Sequence, residues 1–141
     1  MYRQIVTTHD EALIHLFFHC CMKDGAMNDP ELDTVSDMIV SAGLNKGHNL
    51  RAEYLNYKEY RSSIKDETRY LQHLIDLIRP VNQLALFSFC VELFLSDNNL
   101  GHSEEVLTTK IANLLHIDAA ENQFIHKLIT QLNDVKAKGS F

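Results

Sequence analysis

Hydrophobic residues recur along the chain at the spacing of α-helices, and two segments are apolar on nearly every face. The first follows Thr8 and Glu11, whose Thr-x-x-Glu spacing is that of a capping box, so we expect a helix to begin near Asp10. The second is expected to begin at Pro80. Because a helix that is apolar all round must be covered on most of its sides, the pattern predicts two central helices near 10–23 and 81–96.

The other helical segments carry a single apolar stripe each, which is typical of helices that cover a core. Their expected starts are marked by Asp29, Leu50, Ser63-x-x-Asp66, Ser103 and Asp118-x-x-Glu121. No run shows sustained strand alternation, and only five Gly and two Pro interrupt the chain. We therefore predict an all-α fold, a single compact domain of about seven helices over residues 1–141.

The charge balance narrows the class of partner. The net charge is −6, which disfavours nucleic acid because phosphate binding requires a basic surface, and which suits cations or a basic protein. No segment reaches the roughly 18 apolar residues of a membrane span, and the start of the chain lacks the features of a signal peptide. The three cysteines, Cys20, Cys21 and Cys90, lie in apolar helical contexts, so we expect reduced thiols in a cytoplasmic protein.

The two central segments superpose when the chain is shifted by 73 residues. Apolar positions match along both helices, and two acidic residues match after them: Asp24 falls on Asp97, and Glu31 falls on Glu104. This register predicts an internal pseudo-twofold repeat, with one unit at about 10–79 and the other at about 81–136.

The two acidic segments, "CMKDGAMNDPELDTVSDMI" (21–39) and "LFLSDNNLGHSEEVLTTKI" (93–111), resemble the twin signatures of the TerB-like family. That family is named for bacterial tellurite-resistance proteins and also occurs in membrane-anchored DnaJ-like co-chaperones. Its pattern is an apolar helix, an Asp-Gly turn, an apolar residue, and acidic residues that open the next helix. The second segment departs from it at Asn98, which replaces the Gly, and at His102, which stands where the first segment has Asp29.

The resemblance implies a seven-helix fold with two-fold pseudosymmetry and an acidic face that binds metal ions, in stress-response assemblies rather than in catalysis. The expected site consists of Asp24, Glu31, Asp97 and Glu104, with Asp29 and Glu105 as secondary candidates. The ligand would be a divalent cation such as Ca²⁺, Mg²⁺ or Zn²⁺, or a basic protein partner. A structural alternative is that these carboxylates only complete turns and complement helix dipoles.

A second candidate site lies on the first central helix, where His15 and His19 are four residues apart on one face. This spacing can bind Zn²⁺ if Glu11 or Glu92 completes the ligand set, and the alternative function is then a metal-dependent hydrolase. The simpler interpretation places both histidines at the polar edge of a buried helix.

Tyrosines in "EYLNYKEYR" suggest an alternative protein-binding surface. Tyr54, Tyr57 and Tyr60 recur at helical spacing and could anchor a partner, or they could form a half-buried helix face. Taken together, the sequence favours a non-catalytic binding or scaffold domain of TerB-like type, with an acidic surface as its binding site.

Overall fold

Helices are the only regular secondary structure among the residues that the structure describes. The structure is a computed structural model, and it describes residues 1–22, 33, 35–37, 39–40, 49–95 and 102–138, except the side chains of 102–104. The helices are α1 (Tyr2–Ile5), α2 (His9–Cys21), α3 (Leu50–Arg61), α4 (Glu67–Ile78), α5 (Gln83–Phe94), α6 (His102–Leu114) and α7 (Ala119–Lys138). Residues 33, 35–37 and 39–40 are also helical, within the segment where a helix is expected after Asp29. The predicted all-α, single-domain fold is confirmed.

Two of the predicted capping boxes are confirmed. At the start of α2, the Glu11 amide donates to Thr8 Oγ1 at 3.2 Å, and the Thr8 amide donates to Glu11 Oε1 at 3.1 Å. At the start of α7, the Glu121 amide donates to Asp118 Oδ1 at 2.7 Å, and the Asp118 amide donates to Glu121 Oε1 at 3.3 Å. These bonds satisfy amides that the first turn of a helix would otherwise leave without acceptors.

Two predicted helix starts were wrong. Asp66 alone caps α4 by accepting from the Arg69 amide at 3.1 Å, whereas Ser63 Oγ donates backwards to the Tyr60 carbonyl. The fifth helix begins after Asn82, which caps it, and not at Pro80, because Arg79 adopts a left-handed conformation that turns the chain before the next helix starts. The four-residue α1 was not predicted.

Helix α2 lies at the centre of the domain, as predicted. Every residue from Ala12 to Cys21 is buried, and the helix packs against α3, α4 and α5. Helix α5 packs against α2, α6 and α7, but it leaves an exposed edge that carries Glu92. The prediction of a central, covered helix therefore holds for α2, whereas α5 is covered on one side and exposed on the other. The repeat boundaries at 10–79 and 81–136 stay a prediction.

Helix α1 is held by tertiary contacts over the tyrosines of α3 and α4. His73 Nε2 donates to the Val6 carbonyl at 2.9 Å, and the ring of Tyr2 meets that of Tyr70 edge-to-face at a centroid distance of 4.9 Å. Within the described ranges, no helix is both long enough and apolar enough to cross a bilayer.

Candidate functional site

Helix α2 presents its two histidines to α3 and α4 inside the protein. His15 is fully buried, with Nε2 2.8 Å from Glu53 Oε2 and Nδ1 2.6 Å from the Tyr60 hydroxyl. The Tyr60 hydroxyl lies 2.5 Å from the hydroxyl of Tyr70. A continuous polar chain therefore runs from α4 through α3 to α2 and ends at the carboxylate of Glu53.

His19, one turn further along α2, has the same arrangement with different partners. Its Nδ1 lies 2.7 Å from the Tyr57 hydroxyl, and its Nε2 lies 2.8 Å from Glu67 Oε2. The other oxygen of Glu67 accepts from Lys110 Nζ at 3.0 Å. Glu67 thus connects α4 to both α2 and α6. We call the set formed by His15, His19, Glu53, Glu67, Tyr57, Tyr60 and Tyr70 the buried histidine network.

The chemistry of the partners fixes the direction of these hydrogen bonds. An ionised carboxylate can only accept, so Nε2 of each histidine carries a proton and donates it to Glu53 or Glu67. In a neutral imidazole Nδ1 then accepts, and in His15 it accepts from the Tyr60 hydroxyl; Nδ1 of His19 is paired with the Tyr57 hydroxyl. The Tyr60 hydroxyl has a single proton, which it donates to His15. In its hydrogen bond with Tyr70 it must therefore be the acceptor, and Tyr70 the donor.

Burial controls the protonation of the network. It lowers the pKa of His15, and the hydrogen bond to Glu53 opposes this effect without reversing it, so the imidazole is neutral at pH 7. Burial also raises the pKa of the Tyr57, Tyr60 and Tyr70 hydroxyls well above their ordinary value. The tyrosines therefore stay protonated and act as donors over the whole physiological range.

The described residues do not assemble the zinc set expected around His15 and His19. Both ring nitrogens of each histidine are already engaged, and Glu11 is held in the capping box of α2. Glu92 lies on the exposed edge of α5, where partial burial raises its pKa and nearby Lys136 opposes that rise. Among the residues described, no group of three His, Cys, Asp or Glu side chains is placed to hold a metal ion.

A polar cavity of about 310 Å³ opens beside His19 and Glu67. Its lining includes Arg61 and Lys65, whose positive charges oppose the binding of a metal cation. Arg61 also donates from Nη2 to the Met22 carbonyl at the end of α2. Among the described residues, the positive charges of this lining make the cavity unfavourable for a metal cation beside His19.

The tyrosines of α3 are core residues rather than a protein-binding surface. Tyr57 and Tyr60 are fully buried, and only Tyr54 is partly accessible. The suggestion that all three anchor a partner was therefore wrong for Tyr57 and Tyr60, because their rings fill the space between α2 and α4.

The three cysteines are free and buried, as expected for packed thiols. Burial raises the pKa of Cys20 well above its ordinary value, and a hydrogen bond with Cys90 acts in the same direction. A thiol that resists ionisation is a poor nucleophile. The expectation of reduced thiols is consistent with this environment.

The primary acidic candidates cannot be located in the described structure. Asp24, Glu31, Asp97 and the secondary candidate Asp29 lie outside the described residues, as does the side chain of Glu104. The flanking helices are described: α2 ends at Cys21 and α5 ends at Phe94. Glu105 is exposed on α6 at the edge of a groove between α6 and α7.

Sequence reasoning found the two histidines but missed the residues that engage them. Glu53 and Glu67 lie on other helices, 38 and 48 positions away along the chain, and Tyr70 is connected to His15 through Tyr60. One signal was available in the sequence. Tyr57 and Tyr60 are one helical turn apart, as His15 and His19 are, so the two pairs could have suggested that their helices face each other.

Comparison with known proteins tests the resemblance that the acidic segments suggest. A family model described as tellurite resistance protein TerB matches residues 10–127, a range that includes both segments. No curated protein and no solved structure matches the chain. The resemblance found in the sequence is therefore confirmed.

Proposed function

The chain belongs to the TerB family of tellurite resistance proteins, and we propose that it is a non-catalytic binding domain that acts in a stress response. Its two acidic segments would bind a divalent cation or a basic region of a protein partner. TerB domains are generally non-catalytic, which supports the first part of the proposal.

The non-catalytic role is further supported by the state of the buried polar groups. A general acid, a general base or a catalytic metal ligand must contact the substrate or the metal through an available atom. In the buried histidine network each imidazole nitrogen already has a protein partner. Freeing one would leave a buried partner unsatisfied, at a cost of about 1–3 kcal/mol. No observation on the described residues favours the hydrolase alternative.

The observation that carries the binding proposal is the recurrence of an Asp and a Glu, seven residues apart, directly after each central helix. Asp24 and Glu31 follow α2, and Asp97 and Glu104 follow α5. Helices α2 and α5 contact each other in the core, so the two acidic segments leave neighbouring elements. Clustered carboxylates repel one another, and a bound cation or a basic side chain removes that repulsion.

Calorimetric titration with Ca²⁺, Mg²⁺ and Zn²⁺ tests the proposal on the full chain. The wild type is expected to bind at least one of these ions, and the double substitution Asp24→Asn with Asp97→Asn should weaken that binding by about tenfold or more. The matched control is Asp134→Asn, which makes the same chemical change at an exposed position of α7 and should leave binding unchanged.

Stability separates a ligand site from a structural role. If the acidic segments form a site, the double variant should be as stable as the wild type or more stable in the absence of ligand, because it loses repulsion between carboxylates. A loss of about 1–2 kcal/mol with no change in binding would instead identify these carboxylates as helix-terminus residues. If neither the cations nor a basic peptide binds the wild type, the proposal fails.

A further inference from the structure

Four exposed apolar side chains form one row along helix α7, which we call the apolar stripe. Phe124, Leu128, Leu132 and Val135 are 62%, 50%, 47% and 67% exposed, respectively. They are three or four positions apart, so they lie one above the other on a single face of the helix. Single exposed apolar residues are common on protein surfaces, whereas a continuous row of them marks a surface that another molecule covers.

The apolar stripe is not the face by which α7 packs on the rest of the domain. Ile125 and Ile129, each 7% exposed, belong to the core. Asn133 Nδ2 donates to the Leu95 carbonyl, just past the end of α5, at 2.9 Å. These three residues of α7 follow one another at intervals of four and form a second row beside the stripe. Within the described part of the chain, the core therefore covers that second row and leaves the stripe exposed.

The spacing of the apolar stripe fits a second copy of the same helix. Its steps are 4, 4 and 3 residues from Phe124 onwards, and 3, 4 and 4 residues from Val135 backwards. An antiparallel α7 of a second copy would therefore bring Phe124 beside Val135 of that copy, and Leu128 beside Leu132 of that copy. A large side chain would then face a small one, and Leu would face Leu, which is how packed apolar surfaces interdigitate.

Charged residues beside the apolar stripe favour the antiparallel orientation. Lys127 and Asp134 are both exposed, and their separation of seven residues puts them on the same flank of the stripe. In the antiparallel register, Lys127 of each copy would lie beside Asp134 of the other. A parallel alignment would instead bring two lysines together and two aspartates together. Helix α7 carries three Lys and two acidic residues, so it lacks the negative balance of the whole chain, whose net charge is −6.

The size of the contact determines how strong the association can be. A helix of 20 residues is about 30 Å long and about 10 Å wide, so one face covers about 300 Å² in each copy. Stable dimers usually bury about 800 Å² per copy. A contact through α7 alone is therefore weak and depends on protein concentration, with a dissociation constant on the order of 100 μM.

We propose that the apolar stripe of α7 is a self-association surface through which two copies of the chain form a weak antiparallel dimer. Each copy contributes the same stripe and the same Lys127 and Asp134, related by a twofold axis near position 130, so the interface is isologous and closed. The proposal goes beyond the proposed function and does not depend on it, because none of these residues belongs to the two acidic segments.

Sedimentation velocity of the full chain, from about 5 μM to about 1 mM, tests the proposal. The wild type should shift from monomer to dimer over this range. Leu128→Gln should weaken the association about tenfold or more, because it places a polar group in the centre of the stripe. The matched control is Leu55→Gln, the same exchange at a 58% exposed position of α3, which should leave the association unchanged. A wild type that stays monomeric, or equal effects of the two substitutions, would overturn the proposal.

Exchange of the charges tests the orientation. Lys127→Glu alone and Asp134→Lys alone should each weaken the dimer about fivefold or more, because each brings like charges together on both sides of the twofold axis. The double exchange should restore the wild-type dissociation constant, because opposite charges face each other again. Circular dichroism confirms that each variant keeps its helices. Unchanged association in the single variants, or a double variant as weak as the single ones, would show that the helices are not antiparallel in this register.

Two further measurements separate self-association from other uses of the apolar stripe. The variant with Asp24→Asn and Asp97→Asn should dimerise like the wild type, whether or not it binds cations. Loss of the dimer in this variant would move the contact to the acidic segments and overturn the assignment to α7. The chain is also sedimented with vesicles of phosphatidylcholine and phosphatidylglycerol. Binding to these vesicles without dimerisation in their absence would make α7 a membrane-binding helix and would also refute the proposal.

Discussion

Removal of the Tyr60 hydroxyl should destabilise the protein much more than removal of the Tyr70 hydroxyl. Both residues are fully buried, both changes delete one oxygen atom, and both leave the aromatic ring in place as Phe. The difference lies in their positions along the hydrogen-bonded chain. Tyr70 is its first donor, whereas Tyr60 accepts from Tyr70 and donates to His15.

The magnitudes follow from the groups left without partners. Tyr70→Phe removes one hydrogen bond, and Tyr60 keeps its bond to His15, so we expect a loss of about 1 kcal/mol. Tyr60→Phe removes two hydrogen bonds and leaves both the Tyr70 hydroxyl and His15 Nδ1 unsatisfied in the core, so we expect a loss of about 2–4 kcal/mol. The double variant no longer contains the stranded Tyr70 hydroxyl and should therefore be more stable than Tyr60→Phe alone.

Urea unfolding followed by far-ultraviolet circular dichroism measures these differences, provided that the slope of the transition is the same in all four proteins. Equal losses for Tyr60→Phe and Tyr70→Phe would refute the directional chain. So would a double variant whose loss is the sum of the two single losses, because that result would mean that the two hydroxyls act independently.

Further predictions concern other parts of the fold. Burial lowers the pKa of His15, so as the pH falls below about 6.5 the unfolded chain takes up a proton before the folded protein does. The free energy of unfolding should therefore decrease from pH 7 to pH 5.5. Urea titrations should show that His15→Gln makes this pH dependence weaker. Cys20, Cys21 and Cys90 should react with a thiol reagent only as fast as the protein opens, and rapid labelling in native buffer would contradict their burial. Arg79 has a φ of 48°, so Arg79→Gly should raise the free energy of unfolding by about 0.5–1 kcal/mol; a destabilised variant would show that Arg79 is not strained.

The helices could be predicted from the sequence because their signals are local. Apolar residues three or four positions apart and the Thr8–Glu11 and Asp118–Glu121 boxes act over a single turn. The errors arose where contacts beyond a single turn determine whether a helix forms or where it begins. Helix α1 has no side-chain cap and depends on its contacts with α3 and α4. The start of α5 depends on the backbone conformation of Arg79.

The buried histidine network could be predicted only in part, for the same physical reason. The four-residue spacing of His15 and His19 places them on one face of α2, but it contains no information about what faces them. Their carboxylate partners, Glu53 and Glu67, look like ordinary surface residues near the beginning of α3 and α4. They become partly buried hydrogen-bond acceptors because helices that are distant along the chain pack against each other.

The link between His19 and Glu67 has a consequence for how this domain can diverge. If a lineage replaced His19 with an apolar residue, Glu67 would lose a donor that makes its partial burial tolerable, although it would keep its bond to Lys110. The reverse change would remove the carboxylate that accepts the imidazole proton. These positions should therefore change as pairs during evolution. A substitution at His19 should accompany one at Glu67, and a substitution at His15 should accompany one at Glu53. Covariation at separations of 48 and 38 residues would be the signature of this fold in its descendants.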